Sequence, residues 1–188
     1  MKKLSLIFAI ICLLTTFNAN AQSEKINWMS FEEAVKLNET APKKILIDVY
    51  TDWCGWCTKM DQTTFIDKDV VAYMNENYYA VKFNAEQAEP IEFNGYTFTN
   101  PNPNGTKKGT HELAQALLQG KVAYPSYVFM DENNQLLTVV PGYSQANEFL
   151  KILKFIFVDD IETDEIFATT FTKKAAEELY SRILGWGD

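Results

Sequence analysis

Lys44-Ile45-Leu46-Ile47-Asp48-Val49-Tyr50 leads through Thr51, Asp52 and Trp53 into Cys54-Gly55-Trp56-Cys57. This junction constrains the fold more than any other stretch. A short apolar run rich in β-branched residues reads as a buried strand. A C-x-x-C pair directly after it fits the first turn of a helix, where positions i and i+3 face one side and two sulfurs can reach bonding distance. The first cysteine then meets free helix N–H groups and the positive end of the helix dipole, and both favour a thiolate. That lowers its pKa below the ordinary value of about 8.5, and the thiolate is the reactive form. The second cysteine, one turn in and more buried, is placed to attack a mixed disulfide and release the partner.

Other chemistries use the same spacing. A structural zinc site needs four ligands. Apart from Cys12, discussed below, the chain offers Cys54, Cys57 and its single histidine, His111. A Cu(I) carrier needs only two thiolates, and Met60 lies nearby. A purely structural disulfide would enclose two residues and restrain the unfolded chain little. His111 is expected to be exposed or to cap a helix rather than to act in catalysis.

The N-terminus reads as an export signal. Lys2 and Lys3 precede an apolar run, Leu4 to Leu14, and Ala19-Asn20-Ala21 supplies a small-x-small cleavage pattern. Cleavage is expected between Ala21 and Gln22, leaving residues 22–188 as a single domain. Cys12 lies inside the apolar run after Ile11, so it belongs to the signal rather than to a lipid-attachment site. Losing two lysines and no acid takes the formal charge from −8 to −10. An acidic chain has no general attraction to phosphate backbones, so a nucleic-acid partner is not expected. An exported compartment permits disulfides, which leaves Cys54 and Cys57 free to exist as dithiol or disulfide. A periplasmic location and a monomer are expected.

The remaining pattern alternates strands and helices. Ser30 and Glu33 form a capping box before a helix that Pro42 ends. A weak first strand is expected near Ile26–Trp28. Asp67 can cap a further helix, and Tyr78–Asn84 reads as a second strong strand. Residues 87–110 are rich in Gly, Asn, Pro and Thr, with a hairpin signal at Asn94-Gly95. A short helix is expected over Thr110–Leu118, strands over Tyr124–Met130 and Gln135–Val140, and a helix capped by Ser144. The tail, 159–188, reads as a helical extension with Phe171, Ala175, Leu179 and Ile183 on one face. The class is α/β, with helices on both faces of a central sheet. The turn at 131–134 is too short for a parallel crossover, so the sheet is mixed.

These segments together resemble the thioredoxin superfamily, and most of all secreted bacterial thioredoxin-like proteins with a C-G-W-C site. Residues 45–57 are similar to the family's first central strand and active-site segment. Val81-Lys82-Phe83-Asn84 resembles the parallel strand beside it. Tyr124-Pro125-Ser126-Tyr127-Val128-Phe129 resembles the strand that opens on a cis-proline. Gly142 falls where the family keeps a glycine before its last helix. The resemblance spans roughly 45–157 and implies a three-layer thioredoxin-like sandwich, to which 87–110 and 159–188 are additions.

The resemblance further implies a thiol:disulfide oxidoreductase acting on protein thiols and disulfides. Cys54 would be the nucleophile and Cys57 the resolving thiol. Cis-Pro125 would place the Tyr124 backbone against the sulfurs, with Trp53, Gly55 and Trp56 forming the rest of the substrate contact. No metal and no organic cofactor is implied beyond the Cys54–Cys57 pair. Asp48, six positions before Cys54 in an apolar strand, is suited by burial to accept the Cys57 proton, and Lys82 could modulate it. The family's commonest site has proline where this chain has Trp56, and Asp52 stands close to the thiols. A nearby negative charge disfavours a thiolate, which points to a reductase fed by an inner-membrane electron donor. The competing reading is a binding module, or a Cu(I)-handling protein, on a thioredoxin scaffold. The insert 87–110 is expected at the active-site edge, as one wall of the substrate groove.

Overall fold

The computed structural model describes residues 25–105 and 109–158. The expected signal segment, the extension 159–188 and three residues of the insert lie outside the described residues. Among the described residues, no helix is long and apolar enough to cross a membrane.

The elements run β1 (Trp28–Met29), α1 (Phe31–Asn38), β2 (Lys44–Tyr50), α2 (Gly55–Gln62), a 3-10 turn (Thr64–Ile66), α3 (Lys68–Asn77) and β3 (Tyr78–Asn84). There follow β4 (Ile91–Phe93), β5 (Tyr96–Phe98), α4 (Glu112–Leu117), β6 (Ser126–Met130), β7 (Leu136–Pro141) and α5 (Ala146–Val158). Five strands form one sheet in the order β1-β3-β2-β6-β7. β1, β3 and β2 are parallel, and β6 and β7 are antiparallel additions. The sheet is therefore mixed, as the short 131–134 turn requires. β4 and β5 pair separately.

β2 is central and buried on both sides, which explains its nearly unbroken apolar sequence. Ile45, Ile47 and Val49 face one core with Phe31, Ala34, Leu113 and Leu117. Leu46 faces the other, with Met60, Phe65, Val70 and Phe149. Asp48 falls on the Leu46 side by strand alternation. The result is three layers, with α1 and α4 on one face and α2, α3 and α5 on the other.

Local sequence accounts for most boundaries. Ser30 Oγ accepts from the Glu33 N–H, and Glu33 returns a carboxylate to the Ser30 N–H, the complete capping box. Asp67 Oδ1 caps α3 through the N–H groups of Asp69 and Val70. Asn94 and Gly95 have φ of +50° and +75°, the two positive values a tight type I′ hairpin needs.

Some details differ from expectation. The first strand is Trp28–Met29 rather than Ile26–Trp28, with Ile26 buried ahead of it. α5 begins at Ala146, and the Gln145 carbonyl accepts from Phe149 N–H, so Gln145 stands where Ser144 was expected. The Ser144 carbonyl instead accepts from Thr64 Oγ1. The 3-10 turn at Thr64–Ile66 had no signal of its own. His111 caps α4, one of the two placements expected of it, and is fully buried there.

Candidate active site

β2 ends at the sheet edge, and the chain turns through Thr51-Asp52-Trp53, with the Cys54 N–H donating to the Thr51 carbonyl at 3.1 Å. Cys54 is the N-cap of α2, and its Sγ accepts from the Cys57 N–H at 3.1 Å. The sulfur of Cys54 thus occupies the position where a helix terminus stabilises negative charge. Cys54 and Cys57 are joined in a disulfide, with their Cα atoms 5.3 Å apart. Both residues are buried. An added Cβ at Gly55 would meet nothing within 4 Å, so the face beside the disulfide is open there.

Two aromatic pairs bracket this loop. Trp53 is 68% exposed and Trp56 62%, unusual values for tryptophan. Trp53 meets Tyr124 edge-on at 5.8 Å, and its Nε1–H donates to Glu86 Oε1 at 2.9 Å. Trp56 meets Tyr143 at 5.3 Å. Tyr124 precedes Pro125 through a cis peptide bond, and the Pro125 carbonyl accepts from the Gly142 N–H. The cysteine loop and the proline loop, about 70 residues apart in sequence, are thus joined at one rim.

The helix that carries Cys57 also contributes, through Asp61, to an ion cluster with the neighbouring strands. Asp48 and Lys82 are direct register partners on β2 and β3. Lys82 Nζ donates to Asp48 Oδ2 at 2.6 Å and also to Asp61 Oδ1. Asp48 is only 1% exposed, and its Oδ1 has no hydrogen-bond partner among the described residues. Burial raises its pKa to about 6, Lys82 works against that rise, and Asp61 adds to it. Burial by itself would push the Lys82 ammonium down, but the two carboxylates outweigh it and hold its pKa above the ordinary lysine value. A carboxyl poised near neutrality can take up and return a proton at physiological pH.

The structure therefore gathers Cys54, Cys57, Trp53, Gly55, Trp56, Tyr124 and Pro125 at one edge, and pairs Asp48 with Lys82. Sequence reasoning missed Asp61, Glu86 and Tyr143. Asp61 had a usable signal, since it lies one helical turn beyond Cys57 on α2. Glu86 and Tyr143 had none, because they join the rim only through tertiary packing.

The insert is tied down at its base. Asn100 Nδ2 donates to the carbonyls of Glu86, Gln87 and Gly109, and its Oδ1 accepts from the Asn102 N–H. Glu112 Oε2 accepts from the N–H and hydroxyl of Thr99. His111 Nδ1 accepts from the Leu113 N–H, which leaves the proton on Nε2 to be donated to the Glu89 carbonyl. Ile91 is buried in the core, and Phe93 meets Phe31 edge-on. The base of the insert reaches the active-site rim through Glu86.

A family model described as a thioredoxin-like domain matches residues 31–157. The thiol:disulfide interchange protein DsbD of Actinobacillus pleuropneumoniae serotype 5b (strain L20) is 26% identical over 145 residues, covering 72% of this chain and 21% of that protein. The chain thus spans about a fifth of the length of that curated relative. A Bacteroides thetaiotaomicron protein, provisionally assigned as a disulphide-isomerase, has a solution structure 25% identical to this chain. The two superpose with a TM-score of 0.51, covering 77% of this chain and 99% of that one. A thioredoxin from Thermus thermophilus superposes with a TM-score of 0.53 at 16% identity, covering 75% and 94%, a likeness of fold. With a family match over most of its length, and with the sheet and helices that match implies, the chain belongs to the thioredoxin-like domain family.

Proposed function

We propose that this chain is an exported, periplasmic thiol:disulfide oxidoreductase working as a reductase of protein disulfides, with the cysteine pair itself as the carrier of electrons. The observation that carries the reading is the Cys54–Cys57 disulfide at the N-terminus of α2, rimmed by exposed Trp53 and Trp56 and faced by the Tyr124–Pro125 loop. The relative's role as a thiol:disulfide interchange protein supports it.

In the reducing direction, Cys54 thiolate attacks one sulfur of a partner disulfide. The partner S–S bond breaks, a mixed disulfide forms, and the other partner sulfur leaves as thiolate. Cys57 gives its proton to Asp48 and attacks Cys54 Sγ. The Cys54–Cys57 bond forms, the mixed disulfide breaks, and the second partner thiolate leaves. Two electrons pass from the pair to the partner. A dithiol donor, for which a protein of the inner membrane is proposed, must then reduce the pair again. Lys82 acts as a positioning residue, holding the Asp48 carboxylate. The protein is proposed to act as a monomer, its signal removed before Gln22, which the mass of the exported protein would test.

Single cysteine variants test the chemistry. Cys57→Ser leaves the nucleophile without a resolving thiol, so covalent mixed disulfides with proteins or with a disulfide peptide accumulate. Cys54→Ser forms none. Equal trapping by both variants, or by neither, contradicts the assignment.

A further inference from the structure

Lys82 has more around it than its two carboxylates. Its Nζ stands 5.0 Å from the Trp28 ring centroid, 5.0 Å from Tyr50 and 5.1 Å from Phe65. Trp28 and Phe65 are themselves packed edge to face, with centroids 5.1 Å apart. Four different elements supply the enclosure: β1, the end of β2, the 3-10 turn and, through Asp61, α2. Each ring face attracts the cation, and more strongly where water is excluded.

The position of Trp28 gives it a distinct task. It belongs to β1, the edge strand, next to the β3 strand that carries Lys82. Asp48 lies one strand further in, on β2. Trp28 is half-buried and packs on the face of the sheet that carries Met60 and Phe65, the face to which Asp48 also belongs. As the half-buried ring of the edge strand, the indole covers the ammonium from the edge of the sheet. Asp61, 47% exposed, offers Lys82 an alternative partner toward solvent, whereas Asp48 offers one in the interior.

We propose that Trp28 is a positioning residue of the redox site: its indole, with Tyr50 and Phe65, confines the Lys82 ammonium against Asp48 and thereby sets how readily Asp48 takes up and releases the resolving proton. Without the indole, water reaches Lys82 from the edge of the sheet, and the ammonium is drawn toward solvent and Asp61. Asp48 stays dry but loses its counter-charge. Its proton affinity then rises, so that near neutrality more of it already carries a proton and less is free to take up that of Cys57. Other ionisable groups facing the cluster are Tyr50 from β2 itself and Tyr127 from β6, both with pKa values raised, chiefly by burial. Neither ionises near neutrality, so the titration is that of Asp48 coupled to Lys82 and Asp61.

This inference rests on Asp48 being the proton acceptor, and the test separates the two. The Asp48 carboxyl is titrated by carbon NMR in the oxidised full-length protein, for the wild type and for Trp28→Leu, Trp28→Phe and Lys82→Met. The resolving rate of each is followed against pH with a disulfide peptide. Trp28→Leu keeps apolar bulk without a π face and is expected to raise the Asp48 midpoint by about half a pH unit or more, with the rate profile moving the same way. Trp28→Phe is expected to restore the wild-type midpoint. Lys82→Met is expected to give the largest rise. An unchanged or lowered midpoint in Trp28→Leu overturns the inference, as does a rise in Trp28→Phe equal to that in Trp28→Leu. If the midpoint moves while the rate profile does not follow, it is the role of Asp48 that fails.

Discussion

At the scale of single residues, Asp48 imposes a cost on the fold. It titrates at about 6 in the folded protein instead of 3.8. Between those values the folded chain holds a proton that the unfolded chain has released, so stability is lost as pH rises through that window. A pKa unit is worth about 1.4 kcal/mol, so the cost at pH 7 is about 3 kcal/mol. Asp48→Asn removes it, while Lys82 keeps Asp61 and some exposure to water. The oxidised variant is expected to be more stable than the wild type by about 1–2 kcal/mol above pH 7 and not at pH 4, measured by urea unfolding. The same variant is expected to resolve mixed disulfides about tenfold more slowly or worse, as loss of a proton acceptor requires. A stabilised variant with an unchanged resolving rate would leave Asp48 without a catalytic role. Cys54, Cys57, Asp48 and Lys82 were legible in the sequence, because a C-x-x-C pair after a strand and a charge within an apolar run are local signals. Trp28 was not: its contact with Lys82 is made across the sheet, and its sequence neighbours announce nothing of it.

At the scale of elements, the insert is the part least like an elaboration of the surface. Ile91 is 1% exposed, and Asn100 satisfies three carbonyls at the insert's base. Ile91→Ala is expected to destabilise the whole domain by about 2–4 kcal/mol, and a value near zero would show the hairpin to be detachable. His111 adds a pH dependence opposite in sign to that of Asp48. Burial lowers its pKa below 6.5, so the unfolded chain binds a proton more readily than the folded one. Its contribution is present above the ordinary histidine value and lost as pH falls, since protonation of Nδ1 breaks the α4 cap. His111→Asn is expected to remove the part of the acid destabilisation that sets in as pH falls below the ordinary histidine value, read as a flattened stability profile on the acid side. The main strands and the capped helices were readable from periodicity and from Ser30, Asp67 and Asn94-Gly95. The burial of His111 was not, because it depends on Phe83 and on the Glu89 carbonyl closing around the ring.

At the scale of the molecule, the sheet order brings two distant loops to one edge, and the rest of the fold keeps them there. The three-layer class followed from alternating strand and helix patterns together with one short turn. The position of the insert followed from the parallel pairing of β2 and β3, whose C-terminal ends share that edge. What no periodicity could give was the joining of Trp53 to Glu86 and of Trp56 to Tyr143. Cys54 and Cys57 are proposed to cycle between dithiol and disulfide at a reducing potential. The most direct measurement is the equilibrium of the pair in graded thiol–disulfide buffers, quenched by alkylation and read by mass. Full interconversion is expected, with a midpoint nearer to about −270 mV than to about −120 mV. A midpoint near the upper value would make the protein an oxidant, and a pair that never interconverts would contradict the redox function altogether.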